Sequence, residues 1–195
     1  NIFTGSGDAK FSENHLLLQE ASELQFDGVF ARMTHCEVQG ASNGDPLAVS
    51  QISSNHRMRI SQTEMSHLFL TGVFEGQQAL TILESSFESC RVSGSQGGAN
   101  IASSEWDNSH FAWLDSDRPV ILQDNAFTDG MDDSQPLVSL VQIADGTLRK
   151  NSISHHREGL RLSEANVLLG CNEFRRLETA MILLQGGFAV MNGAS

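Results

Sequence analysis

The sequence predicts an all-β chain wound as a parallel β-helix of about 20 to 28 residues per coil. Three observations lead there. A short apolar run followed by Asn-x-apolar recurs along the chain, the runs between turns are short, and Gly, Ser, Asn and Asp separate them. A fixed period with short strands marks a solenoid, in which each repeat buries its apolar face only against its neighbours.

The clearest copies lie in the second half. Val120-Ile121-Leu122 precedes Asn125-Ala126-Phe127, Leu148 precedes Asn151-Ser152-Ile153, Val167-Leu168-Leu169 precedes Asn172-Glu173-Phe174, and Phe188-Ala189-Val190 precedes Asn192, at Asn intervals of 26, 21 and 20 residues. Upstream the asparagine is lost, as in Leu80-Thr81-Ile82-Leu83 before Ser86-Phe87 and Leu24-Gln25-Phe26 before Gly28-Val29-Phe30. A second phrase precedes these by half a coil: Leu16-Leu17-Leu18 leading to Phe30 parallels Leu160-Arg161-Leu162 leading to Phe174, and Leu137-Val138-Ser139-Leu140 fills that slot ahead of Ile153. Such runs are too short and interrupted for helices and read as strands, three to a coil. Asn125, Asn151, Asn172 and Asn192 are expected at one turn, since Asn tolerates the left-handed backbone and its amide can pair with the next coil. A leucine-rich repeat needs the L-x-x-L-x-L-x-x-N frame, which is missing, and a β-sandwich would not require a recurring Asn-x-Phe.

The 195 residues fit one domain, 1–195, with 39% hydrophobic and 18% charged residues and 17 glycines. That is a folded, turn-rich composition. A net charge of -12 is the wrong field for nucleic acid. The pairs Arg57/Arg59, Arg149/Lys150 and Arg175/Arg176 read as solvated turn residues. The longest apolar stretches, such as Ala180 to Leu184, are far shorter than the ~20 residues of a spanning helix, so no membrane insertion is expected. No charged segment followed by an apolar one opens the chain as a signal peptide would. Cys36, Cys90 and Cys171 lie far apart without a CxxC pair and read as buried small hydrophobes.

The Asn-x-Phe turns resemble those of the pectin-lyase-like right-handed β-helix superfamily. Phe87-Glu88-Ser89-Cys90 followed by Gly97-Gly98-Ala99-Asn100-Ile101 is similar to the FxxN and GGAI pairing of chlamydial polymorphic outer-membrane proteins and related protist surface repeats, with Cys90 where Asn is expected and Asn100 inserted before Ile101. The resemblance implies a right-handed solenoid and a surface protein. Asn1-Ile2-Phe3 reads as mid-coil and Met191 to Ser195 stops as a turn begins, so a segment of a longer solenoid is expected, or a unit that stacks end to end.

Candidate chemistry is sparse. Thr128-Asp129-Gly130-Met131-Asp132-Asp133 is similar to the Asn-Thr-Asp-Gly-Ile-Asp segment of polygalacturonase-type hydrolases, which implies acid/base roles for Asp129, Asp132 and Asp133, with His155 a coil away. The Asp-Asp of the next coil is replaced by Asn151 to Ser154, and the Gly-His-Gly and Arg-Ile-Lys strings have no counterpart in order, so an acidic turn is the competing reading. His155 and His156 should point to opposite faces and cannot both address one ion. His15, His35, His56, His67 and His110 show no ligand spacing, so no metal or cofactor is expected. Asp115, Asp117 and Arg118 resemble a pectate-lyase calcium and base set but also suit a solvated turn. Gly97-Gly98 and Gly186-Gly187 lie outside any phosphate-binding frame. Trp106 and Trp113, with Phe111 between, are the ligand candidates as an exposed sugar-stacking platform, against a core role.

The leading expectation is a non-enzymatic structural or adhesive module, extracellular or on a cell surface, within a larger protein or filament, that offers its side faces to protein or glycan partners and can self-associate end to end. The alternative is a polysaccharide hydrolase or lyase using Asp129, Asp132, Asp133 and His155. An intracellular interaction β-helix is a third reading.

Overall fold

The computed structural model describes residues 2–19, 21–41 and 50–192. It is a parallel β-solenoid of about 8 turns, without helix among the described residues. Each coil carries three short strands, and every strand pairs in parallel with its equivalent one coil on, as Leu80 to Leu83 do with Ala99 to Ala102. The first and third strands of the coils join into a single 15-stranded sheet and the second strands form a 9-stranded sheet. The joining occurs because strand Ser152–Ser163 runs through a corner, its start paired with Ala126–Thr128 and its end with Val138–Ile143. Coil length varies more than expected. Ser50 pairs with Leu68, a coil of 18 residues, whereas Phe111 pairs with Val138, a coil of 27.

Alternation along each short strand sends one set of side chains inward, where parallel register stacks like on like. Along the third strands the inward column runs through Val38, Met65, Phe87, Trp106, Phe127 and Ile153. Trp106 stacks between Phe87 and Phe127 at centroid distances of 4.2 and 5.3 Å. Trp113 in the first strands stacks on Phe74 at 5.4 Å and donates its indole N–H to the Gly97 carbonyl at 2.8 Å. Both tryptophans are core residues, 1% and 0% exposed, so the expected stacking platform for a sugar does not exist. Burying their large apolar surface within the column outweighs presenting it to solvent.

Glycine makes room for these rings. Gly94 lies between Gly72 and Trp113 in register, and a Cβ there would come 2.3 Å from the Trp113 ring and 2.9 Å from Phe74.

The corner between second and third strands repeats one device. The residues Glu13, His35, Gln62, Glu84, Ser103, Asp124, Lys150 and Cys171 all have φ between 50 and 56°. The left-handed residue therefore precedes the asparagine rather than being it. Asn125, Asn151 and Asn172 keep their amides for the axis: Asn125 N donates to Asn151 Oδ1 at 3.1 Å, and Asn151 N to Asn172 Oδ1 at 3.0 Å. Each Nδ2 donates back to the preceding coil, to Ile101, Leu122 and Leu148 carbonyls at 3.0, 2.9 and 2.8 Å. Toward the N-terminus hydroxyls take over, with Ser104, Ser85 and Thr63 accepting from Ser85 N, Thr63 N and Cys36 N. Asn192 departs from this scheme: it lies within its strand opposite Gly170, two positions before the register of Asn172.

Two stability outcomes follow. Gly94→Ala overpacks the Phe74–Trp113 stack and is expected to cost about 1–3 kcal/mol in urea unfolding. Asn151→Ala strands the buried Asn125 N–H and the Leu122 carbonyl and is expected to cost about 1–3 kcal/mol, against little change for exposed Asn166→Ala.

Candidate functional site

In the coil from Phe111 to Val138 the chain leaves the solenoid wall. Between strands Ala126–Thr128 and Val138–Ile143, residues 129–137 form a loop across the corner between third and first strands. Asp129, with φ 52°, opens it in the same left-handed conformation that Asn108 and Ser89 use at the same corner one and two coils earlier. Instead of closing at once, the loop covers two imidazoles. His110 begins strand His110–Ser116, in the register held by Arg91 one coil earlier, and His156 lies within Ser152–Ser163. Both are buried and meet edge to face at 5.6 Å.

The loop backbone closes onto these rings. The Asp132 N–H donates to His110 Nε2 at 3.2 Å, and His110 Nδ1 stands 2.8 Å from the Pro136 carbonyl. A carbonyl only accepts, so the two contacts together fix neutral His110 with its proton on Nδ1. His156 Nε2 donates to the Gln135 carbonyl at 2.7 Å. Its other nitrogen faces Asp133 at 3.8 Å, a carboxylate whose side chain is 86% exposed. The Asp132 carboxylate turns back to accept the Ser134 N–H at 2.8 Å. Gly130 is required by proximity: a Cβ there would lie 2.5 Å from the His156 ring and 2.9 Å from His110. Leu137 N then donates to the Glu158 carbonyl, and Glu158 is held in a fork by Arg161.

Burial pushes His110 below the ordinary histidine value of 6.5, with His156 and Arg91 adding to it against the pull of the Pro136 carbonyl and Asp132. Asp132 is lowered by its hydrogen bonds to Ser134.

The four residues read as an acid/base set have separate partners. Asp129 caps a corner, donating its N–H to the Ser154 carbonyl, Asp132 braces the loop, and Asp133 faces His156. His155 points away from its neighbour, bonded to Ser154 Oγ at 3.1 Å and to Arg176 at 2.9 Å. His156 is buried, and with His110 it forms a pair that the sequence pattern did not bring together. A signal was present: the 26-residue step from Asn125 to Asn151 exceeds the next by five residues, and an added loop must be anchored by something beneath it. Asp115 sits at a register irregularity with φ 50°, and Asp117 is paired with Arg118 at 3.3 Å. Cys36 and Cys90 are buried and Cys171 is exposed, contrary to the expectation for that thiol; burial pushes Cys90 up to about 12.

A second feature lies on the outer face of the 9-stranded sheet, an open groove of about 610 Å³ lined by Arg57, Arg59, Gln77, Gln78, Thr81 and Asn100, among others. Among the described residues no helix is long and apolar enough to cross a membrane, and no group of three or more His, Cys, Asp or Glu is placed to hold a metal ion. Comparison of the chain with family models, curated proteins and solved structures finds no match.

The histidine-braced loop makes stability depend on pH. The folded chain resists the proton that the unfolded chain takes up at His110, so this contribution is complete above 6.5 and is lost as the pH falls below it through the lowered folded value. The melting temperature is expected to decline on acidification from neutrality, together with protection of the Asp132 amide, and to decline less steeply in His110→Gln.

Proposed function

We propose that this chain is a non-catalytic structural or adhesive module, a stiff extracellular or cell-surface solenoid within a larger protein or filament, that offers its side faces to protein or glycan partners. The observation that carries the reading is the employment of Asp129, Asp132, Asp133 and His155. Asp129 closes a corner through its backbone N–H, the Asp132 carboxylate accepts the Ser134 N–H, Asp133 faces His156, and His155 is bonded to Ser154 and Arg176. Of the two buried imidazoles, His110 has both nitrogens on backbone groups, and His156 has one there and the other facing Asp133. Inverting hydrolysis needs two carboxyl groups about 6.5 to 9.5 Å apart on either side of a glycosidic bond, with access for substrate and water. A loop folded down on its own histidines suits support better than turnover. The open groove at Arg57 and Arg59 suits a scaffold that binds along its side.

Incubation with a panel of acidic and neutral polysaccharides is expected to release neither reducing ends nor unsaturated products, and Asp132→Asn is expected to lower thermal stability without changing that result. Product release that disappears in Asp132→Asn would replace this reading with polysaccharide cleavage.

A further inference from the structure

The charges on the outer faces are sorted. On the 9-stranded sheet, Lys10, Arg32 and Arg59 face outward in successive coils directly opposite one another, and Arg57 stands at the corner beside them. Around the next corner, the outward side of the third strands carries Glu37 opposite Glu64, then Glu105 across Ser86, with Glu88 opposite Asp107 in the neighbouring row. No lysine or arginine interrupts this acidic column between Glu37 and Asp107. Like charges directly opposite on adjacent strands destabilise a sheet, so both columns are unfavourable in the isolated chain. Part of that repulsion is met internally, for Asp8 lies 3.1 Å from Arg32 and 3.9 Å from Lys10, and His15 approaches Glu37 at 3.6 Å. Arg57, Arg59, Glu64 and Glu105 make no ion pair among the described residues.

The columns also match in geometry. Arg32 and Glu37 belong to one coil and Arg59 and Glu64 to the next, each pair five residues apart. Over these two coils the positive and negative rows therefore climb the solenoid in step, at the spacing of about 4.8 Å that separates hydrogen-bonded strands, while Glu105 extends the acidic row two coils further, where the basic row has passed to Thr81 and Asn100. A face with cations at that spacing is complemented by a face with carboxylates at the same spacing, and Glu37 and Glu64 on the second face of this same molecule supply it, with Glu105 one strand beyond Ser86.

We infer that the chain associates side by side with a second copy, axes parallel, the Arg32, Arg57 and Arg59 face of one against the Glu37, Glu64 and Glu105 face of the next. This rests on the scaffold reading and names its partner. The contact is heterologous, so every added copy leaves one basic and one acidic face open, and growth continues until a ring closes or an array extends. The repulsion expected from a net charge of -12 falls off beyond about 8 Å at physiological salt, while pairs in contact across the faces are screened less.

Sedimentation velocity with Arg57→Glu/Arg59→Glu and Glu64→Lys/Glu105→Lys tests this, after circular dichroism and melting show that these exposed substitutions leave the fold intact. Wild type is expected to gain mass with concentration at physiological salt and to dissociate at high salt. Each variant alone should associate at least about tenfold more weakly. An equimolar mixture should assemble again, because one variant keeps the acidic face and the other the basic face. A monomeric wild type, variants that assemble like wild type, or a mixture that stays monomeric would each overturn lateral self-association. A monomer retained by a carboxylated polysaccharide column would transfer the basic face to a glycan ligand. Glycan cleavage, by contrast, would defeat the scaffold reading, whereas a monomer inert toward glycans defeats self-association alone.

Discussion

Everything in this molecule follows from the parallel registration of one coil on the next. A residue in a globular domain meets unrelated neighbours, but here each position meets its own equivalents above and below at strand spacing. Inward positions must therefore agree on volume locally, which is why Phe87, Trp106 and Phe127 can stack without a break and why Trp113 needs Gly94 beneath it. Outward positions must agree on charge or tolerate its repetition. Corners must repeat a backbone conformation that only glycine adopts freely.

The corner chemistry shows how that last demand is met. Twenty non-glycine residues among those described sit in the left-handed region, each at a cost of roughly 1–2 kcal/mol. They are mostly polar and exposed, so the strain falls where no packing is disturbed. From Cys36 to Asn151 the next residue at the second corner is buried and carries a hydroxyl, thiol or amide at the bend, and Asn125 and Asn151 with the hydroxyls of Thr63, Ser85 and Ser104 accept its backbone bonds. One position supplies curvature and its successor supplies hydrogen bonds. The loop 129–137 uses the same left-handed opening at Asp129 and then replaces the tight closure with two imidazoles, so it is an extension of the corner design rather than a separate element.

Much of the architecture was legible because the asparagine column marks coils directly in the sequence. Asn125, Asn151 and Asn172 fixed the period, and the apolar residue two positions later fixed the inward column. The reading failed where a similar phrase occurs on a different face. Leu16-Leu17-Leu18 lies in the third strand of its coil and Leu160-Arg161-Leu162 in the first strand of its own, so their likeness reflects a shared strand pattern and not a shared register. Asn192 failed for the same reason, since spacing alone cannot separate a corner from a strand two residues earlier. The site was less legible than the fold. Trp106 and Trp113 look alike whether buried or exposed, and His110 and His156 are 46 residues apart, brought together only because successive coils stack.

The asparagine and hydroxyl column has a direction. Cys36 N bonds forward to Thr63, Thr63 N to Ser85, Ser85 N to Ser104, Ser104 N to Asn125, Asn125 N to Asn151 and Asn151 N to Asn172. Each corner amide thus waits for a side chain that lies later in the chain. On a ribosome, which delivers residues in that same order, a newly made coil remains open at its corner until its successor emerges, and the arrival of each coil completes the one before it. The solenoid carries the arrow of its own synthesis in its hydrogen bonds.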